Sequence, residues 1–124
     1  VRNKKKACEE VGIQSFGTEL PERATQDEVL KVVADYNADE AVNGILVQLP
    51  LPDHMDAQVV LDAIDIEKDV DGFKPENIGS LALRSRIPRF VSCTPKGCLE
   101  LLKRSGVDPA VRFILHGYRR LPRY

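Results

Sequence analysis

Gly44-Ile-Leu-Val-Gln-Leu49 decides the fold class. Four aliphatic residues in six predict a strand buried on both faces, as in parallel sheets, and Gln48 interrupts it near its carboxyl end. After the loop Pro50-Leu-Pro-Asp-His54, Asp56 is placed to cap a helix with Val59, Val60, Ala63 and Ile64 inward. Upstream, Thr25 with Glu28 three residues later is a capping box, opening a helix with Val29, Val32, Val33 and Tyr36 on one face. Ile13 to Leu20 reads as a short strand ended by Pro21. Residues 2–11 read as a helix with Ala7, Cys8 and Val11 together, and Gly12 stands where a left-handed cap is expected. Downstream, the loop Glu67-Lys-Asp-Val-Asp-Gly-Phe73 leads to a short helix over Asn77–Arg84 and a short strand over Ile87–Val91. Thr94 is then the expected N-cap, with Pro95 first in a helix that runs to Ser105 and ends at Gly106. Strands alternating with helices predict an α/β layered domain with a mostly parallel sheet.

Length and composition agree with one such domain. The 124 residues are 43% hydrophobic, enough to fill the core that a chain of this size encloses. Three cysteines, Cys8, Cys93 and Cys98, form no paired framework and suit a reducing compartment, with cytoplasm or an organelle matrix expected. Gly44 to Pro52, the longest largely apolar stretch, falls well short of the roughly 18 residues that a membrane helix needs. Val1 with no leader after it reads as an internal boundary of a larger chain.

The net charge of −1 conceals two opposite parts. Residues 84–124 carry ten Lys or Arg against two acids, a net of +8, and residues 1–83 carry eight against seventeen, a net of −9. A basic segment of this kind suits a nucleic acid or an acidic protein. Against that reading, the charge lies in Arg84-Ser-Arg86-Ile-Pro-Arg89 and in a tail without a groove-reading helix, and Tyr118 and Tyr124 are thin support for base stacking.

Ligands of open α/β sheets bind outside the carboxyl ends of the strands, which draws attention to Gln48. An amide in an aliphatic strand must be hydrogen-bonded or cost on the order of 1–3 kcal/mol; it is either a satisfied core amide or one that positions another side chain. Asp69 and Asp71, beside Lys68 and before Gly72, either cap a turn or accept hydrogen bonds from a ligand, and the calcium-loop pattern is missing. Lys4, Lys5 and Lys6 form a run that is ordinarily a solvated face. Only a lysine drawn into a cleft beside an amide or carboxylate could exchange protons near neutrality, and spacing does not choose among the three. His54 and His116 lack zinc-ligand spacing with the cysteines, so no metal is expected. No dinucleotide, P-loop or serine-nucleophile motif occurs.

Together, Gly44-Ile-Leu-Val-Gln-Leu-Pro-Leu51, Glu67-Lys-Asp-Val-Asp-Gly-Phe73, Asn77-Ile-Gly79 and Cys93-Thr-Pro-Lys-Gly-Cys98 resemble the bifunctional methylenetetrahydrofolate dehydrogenase and methenyltetrahydrofolate cyclohydrolase family. The resemblance covers residues 1–107 and implies a three-layer α/β/α catalytic domain, which holds tetrahydrofolate against a separate NADP-binding Rossmann domain. It matches Lys4 to the catalytic lysine, Gln48 to the glutamine that bonds it, and Asp71 to the aspartate that grips the pterin-side nitrogens. Val47 and Leu49 match the flanking substrate-contacting backbone, and Cys93, Thr94 and Pro95 match the hinge that faces the nicotinamide. The tyrosine of the family pattern would fall just before Val1. After Val107 the match fails: Val111-Arg-Phe-Ile-Leu-His-Gly117 keeps an apolar run and a glycine without the phosphate loop, so 108–124 is expected to be a divergent basic tail and most of the NADP site to be missing. The implied activities are NADP-dependent oxidation of methylenetetrahydrofolate and hydrolysis of the methenyl product to 10-formyltetrahydrofolate. The family also implies a homodimer, and a truncated chain could instead serve as a non-catalytic partner of a full-length relative.

Overall fold

The computed structural model describes residues 2–83 and 85–107; the readings made for the tail lie outside them. Two compact units divide the chain, the first ending at Val91 and the second opening at Ser92. In the first unit the elements are α1 (Arg2–Glu10), α2 (Gln26–Ala38), α3 (Ala57–Asp62), a 3-10 turn (Ile66–Lys68) and α4 (Pro75–Ala82); α5 (Cys93–Arg104) belongs to the second.

Helix starts follow local chemistry. Glu28 N donates to Thr25 Oγ1 at 3.3 Å and Thr25 N donates to Glu28 Oε2 at 2.7 Å, the reciprocal capping box expected for α2. Asp56 Oδ1 accepts from Gln58 N at 2.9 Å and Val59 N at 3.3 Å, which opens α3. Gly12 (φ +74°) and Gly106 (φ +75°) adopt the left-handed conformation as α1 and α5 end. Two helix starts differ from expectation. Helix α4 begins at Pro75, two residues before Asn77, because a proline has no N–H to leave unpaired in the first position. Helix α5 begins at Cys93 with Ser92 as its cap, so Thr94 and Pro95 both lie inside the first turn. Proline is tolerated there for the same reason, since first-turn N–H groups have no partner within the helix.

The core of the first unit is Val33 from α2, Val60 and Ile64 at α3, and Val42 and Ile45 from the connecting segment. Val29, Leu30, Tyr36, Val47, Leu51, Leu61 and Ala63 pack around it. Each fully buried aliphatic side chain contributes roughly 1.5–3 kcal/mol, so these few residues outweigh the caps, at about 1 kcal/mol each. Val59 departs from the expected inward face and is 43% exposed: the short α3 turns Val60 and Ile64 to α2, and Val59 falls to their side.

Among the described residues no strand forms a ladder. The segment read as the central strand makes one parallel bridge, Ile45 with Asp69, in which Ile45 N donates to Lys68 O at 2.8 Å. Burial on both faces is not found, since Leu46 and Leu49 are 40% and 36% exposed while Ile45 is buried. A period-two pattern becomes a sheet only beside further extended edges. Ile13–Leu20 and Ile87–Val91 likewise have no ladder partner. The apolar face expected of α1 is uncovered, with no residue of that helix buried and Val11 70% exposed.

Gly44 shows why the bridge can form at all. A Cβ on it would collide with Val70 Cγ1, so the absent side chain lets the 44–49 segment lie against the 67–73 loop.

Candidate functional site

Lys4 lies in the first turn of α1, and its Nζ donates to Gln48 Oε1 at 3.0 Å across 44 residues of sequence. Gln48 Nε2 donates to Leu49 O at 2.8 Å. That second bond fixes the amide, NH2 group toward the backbone and oxygen toward the ammonium. Of the three consecutive lysines, Lys4 alone meets an amide. Lys5 Nζ pairs with Glu19 Oε1 at 3.2 Å, and Lys6 Nζ pairs with Glu10 Oε1 at 3.8 Å, one turn along the same helix.

The two aspartates of the 67–73 loop separate completely. Asp69 is buried and accepts from Phe73 N at 3.2 Å, Lys74 N at 2.9 Å and Asn77 Nδ2 at 2.8 Å. Gly72 (φ +66°) permits the tight return that brings those two amides back to the carboxylate. Asn77, itself buried, passes the connection on by accepting from Phe90 N at 3.1 Å. Asp69 is thus the turn cap. Asp71 is half-buried, and burial raises its pKa above the ordinary carboxylate value; the positive charge of Lys4 opposes that rise and the negative charge of Asp69 adds to it. The ammonium of Lys4 therefore lies within electrostatic reach of both the Gln48 amide and the Asp71 carboxyl. An ammonium, an amide oxygen and a carboxyl group gathered in this way can pass a proton and bind a polar heterocycle.

Val47 and Leu49 flank Gln48, with Val47 packed on the core and Leu49 at the surface. Cys93, Thr94 and Pro95 are exposed on the first turn of α5, in the second unit. His54 Nε2 is 2.9 Å from the carbonyl oxygen of Ala24, a structural contact.

A concavity of about 450 Å³ stands elsewhere, lined in part by Asn37, Glu40, Asn43, Glu67, Lys68 and Arg89. Its basic groups are already committed. Lys68 Nζ donates to the carbonyls of Tyr36, Asn37 and Asp39 at 2.8–2.9 Å, and Arg89 pairs with Glu67. The chemistry therefore favours the Lys4 cluster over this hollow. Neither Lys68 as the clamp on the end of α2 nor Asn77 as the partner of Asp69 was legible in the sequence beforehand. The only signal was the crowding of charged residues around Asp69.

Residues 1–71 match the family model described as tetrahydrofolate dehydrogenase/cyclohydrolase, catalytic domain. This chain belongs to that family. Among curated relatives of the folate dehydrogenase/cyclohydrolase, chloroplastic bifunctional protein FolD 4 of Arabidopsis thaliana is 62% identical over 108 residues, covering 87% of this chain and 30% of the relative. Bifunctional protein FolD of Agathobacter rectalis is 56% identical over 108 residues, covering 87% and 38%. The chain spans about a third of the length of these relatives. Solved structures agree. The Trypanosoma brucei methylenetetrahydrofolate dehydrogenase-cyclohydrolase, complexed with NADP and an inhibitor, superposes with a TM-score of 0.82 at 43% identity, over 86% of this chain and 36% of that one. The Campylobacter jejuni enzyme gives 0.78 at 48% identity, over 86% and 38%. The fold is therefore that of the α/β folate dehydrogenase/cyclohydrolases.

Proposed function

We propose that this chain is the folate-holding part of a methylenetetrahydrofolate dehydrogenase/cyclohydrolase, with Lys4, Gln48 and Asp71 as its reacting and binding groups. The bond from Lys4 to Gln48, with the Lys4 charge felt at Asp71, is the observation that carries the reading. Hydrolysis of a methenyl bridge adds water to the bridging carbon, removes one proton from that water, returns a proton to N5 as its bond to the carbon breaks, and releases the remaining hydroxyl proton to solvent as the formyl C=O forms. Lys4 serves the first two transfers, as general base and then as general acid. Gln48 holds the amine at one angle through the addition, and Asp71 accepts hydrogen bonds from the amino and ring N–H groups of the pterin. The backbone at Val47 and Leu49 lines the approach.

The dehydrogenase half-reaction requires NADP, which supplies the hydride acceptor. In this chain Cys93, Thr94 and Pro95 are exposed, and Ser92 makes no side-chain cap bond ahead of them. The described residues do not fit a dinucleotide, because they offer no glycine-rich cradle for its phosphates. The reading is therefore a hydrolase half-site over residues 1–107, with 108–124 as a divergent tail. Its extended segments would become a mostly parallel, three-layer α/β/α sheet only in a longer chain, where the homodimer of the family would also form. No helix among the described residues is long and apolar enough to cross a membrane. A cytoplasmic or organelle-matrix setting suits its unpaired cysteines, and the Arabidopsis relatives include chloroplastic and mitochondrial proteins.

The test is amide exchange of the purified chain during titration with a folate analogue. Protection centred on Gln48 and Asp71 is the expected result. Uniform exchange at saturating analogue would remove the proposal.

A further inference from the structure

We propose that Lys5 is a positioning residue for Lys4, acting as a strap that fixes the rotation of α1 over the rest of the first unit. The inference rests on the reading of Lys4 as the proton carrier. Helix α1 buries no residue fully and only Lys5 and Cys8 partly, so packing holds its orientation weakly. Among the described residues its side chains hydrogen-bond to the remainder of the unit at two places, Lys4 to Gln48 and Lys5 to Glu19. The first belongs to the site itself; only the second is free to hold it.

The strap is built as well as charged. Lys5 is half-buried, and its stem crosses Gly17 so closely that a Cβ there would lie 3.2 Å from Lys5 Cε and 3.3 Å from Nζ. The segment it crosses is anchored in turn. Thr18 Oγ1 and Tyr36 Oη share a hydrogen bond of 2.8 Å, and Tyr36 packs on the core. A continuous path therefore runs from the core through Tyr36, Thr18 and the Gly17–Glu19 backbone to Lys5. Lys4 is the preceding residue on the helix, about 100° around its axis, so a rotation that frees Lys5 also draws Lys4 from Gln48. Lys6 provides a contrast on the same helix, since its partner Glu10 lies within α1 and ties it to nothing else.

Site-resolved acylation of the full chain with limiting acetic anhydride, read by fragment mass spectrometry, tests this. Exposed ion pairs shift a conformational equilibrium by up to about five-fold. Acylation of Lys4 is expected to rise about two- to five-fold in Glu19→Gln and in Lys5→Met, to stay at the wild-type level in Lys5→Arg, and to stay there in Lys6→Met. Unchanged acylation of Lys4 in both Glu19→Gln and Lys5→Met would overturn the inference, as would an equal rise in Lys6→Met. The labelling involves no folate, so failure of the folate reading leaves its result intact. Normal analogue protection with unmoved Lys4 labelling removes the strap alone.

Discussion

Asp69 and Asp71 stand two residues apart on one loop, yet Asp69 accepts three hydrogen bonds from the fold while Asp71 accepts none from a side chain or loop amide among the described residues. One carboxylate builds the turn, and the other is left out of it. The division explains how a single short loop can be rigid and still keep a carboxyl group within the field of Lys4.

Asp71 lowers the stability of the protein at neutral pH. Its pKa is raised on folding, so the native state holds the proton more readily than the unfolded chain does. Stability falls as pH rises from the ordinary value of 3.8 through the raised one, and the cost persists above it. Asp71→Asn is expected to be more stable than the parent at pH 7 while losing folate-analogue protection. The stability gap should close below the ordinary value. Urea midpoints at the two pH values check the sign, and a variant less stable at neutrality contradicts it.

Asn77→Ala removes a bond to a buried carboxylate and leaves Phe90 N without its acceptor. Hydrogen bonds to charged groups contribute about 1.5–3 kcal/mol, so a loss of at least that size is expected in chemical denaturation. Asn77→Asp should be worse, because it sets a second negative charge against Asp69.

Gly44→Ala places a methyl group into Val70. Overpacking of this kind costs about 1–3 kcal/mol. Val70→Ala should restore much of the loss when the two are combined, and a double-mutant cycle measures that coupling. Additive losses would mean that the close approach of the two segments is not what the glycine serves.

Lys4→Met should slow hydrolysis of methenyltetrahydrofolate by the chain about 10²–10⁴-fold, the usual contribution of a positioned acid-base group, with analogue protection at Asp71 retained. Loss of the methenyl absorbance follows the reaction. Equal rates for parent and variant would show that Lys4 carries no proton.

Local signals were legible in the sequence. The Thr25–Glu28 box, the Asp56 cap and the glycines at 12 and 106 act through neighbours within a few residues, and all four are found in place. The meeting of Lys4 with Gln48 came from a family resemblance, because no spacing rule links positions 44 residues apart. Equivalence of Asp69 and Asp71 could not be broken from sequence either, since which one faces inward depends on Asn77 and on the return at Gly72. The strand pattern is met only in part, by the single parallel bridge of Ile45 with Asp69. Aliphatic runs record what a segment buries in its full setting, and here Leu46 and Leu49 are left at the surface.

Lys68 has its carbonyl on Ile45 and its ammonium on the end of α2, while the next residue holds the entry to α4. Trypsin needs an extended lysine with a free head, and this one is engaged at both. Scission after Lys68 would therefore demand that the whole first unit open, whereas Lys96 lies exposed in the first turn of α5 and could be cut by fraying alone. The peptide bond in the middle of the loop serves as a built-in gauge of global unfolding, readable from the order in which fragments emerge during a timed digest.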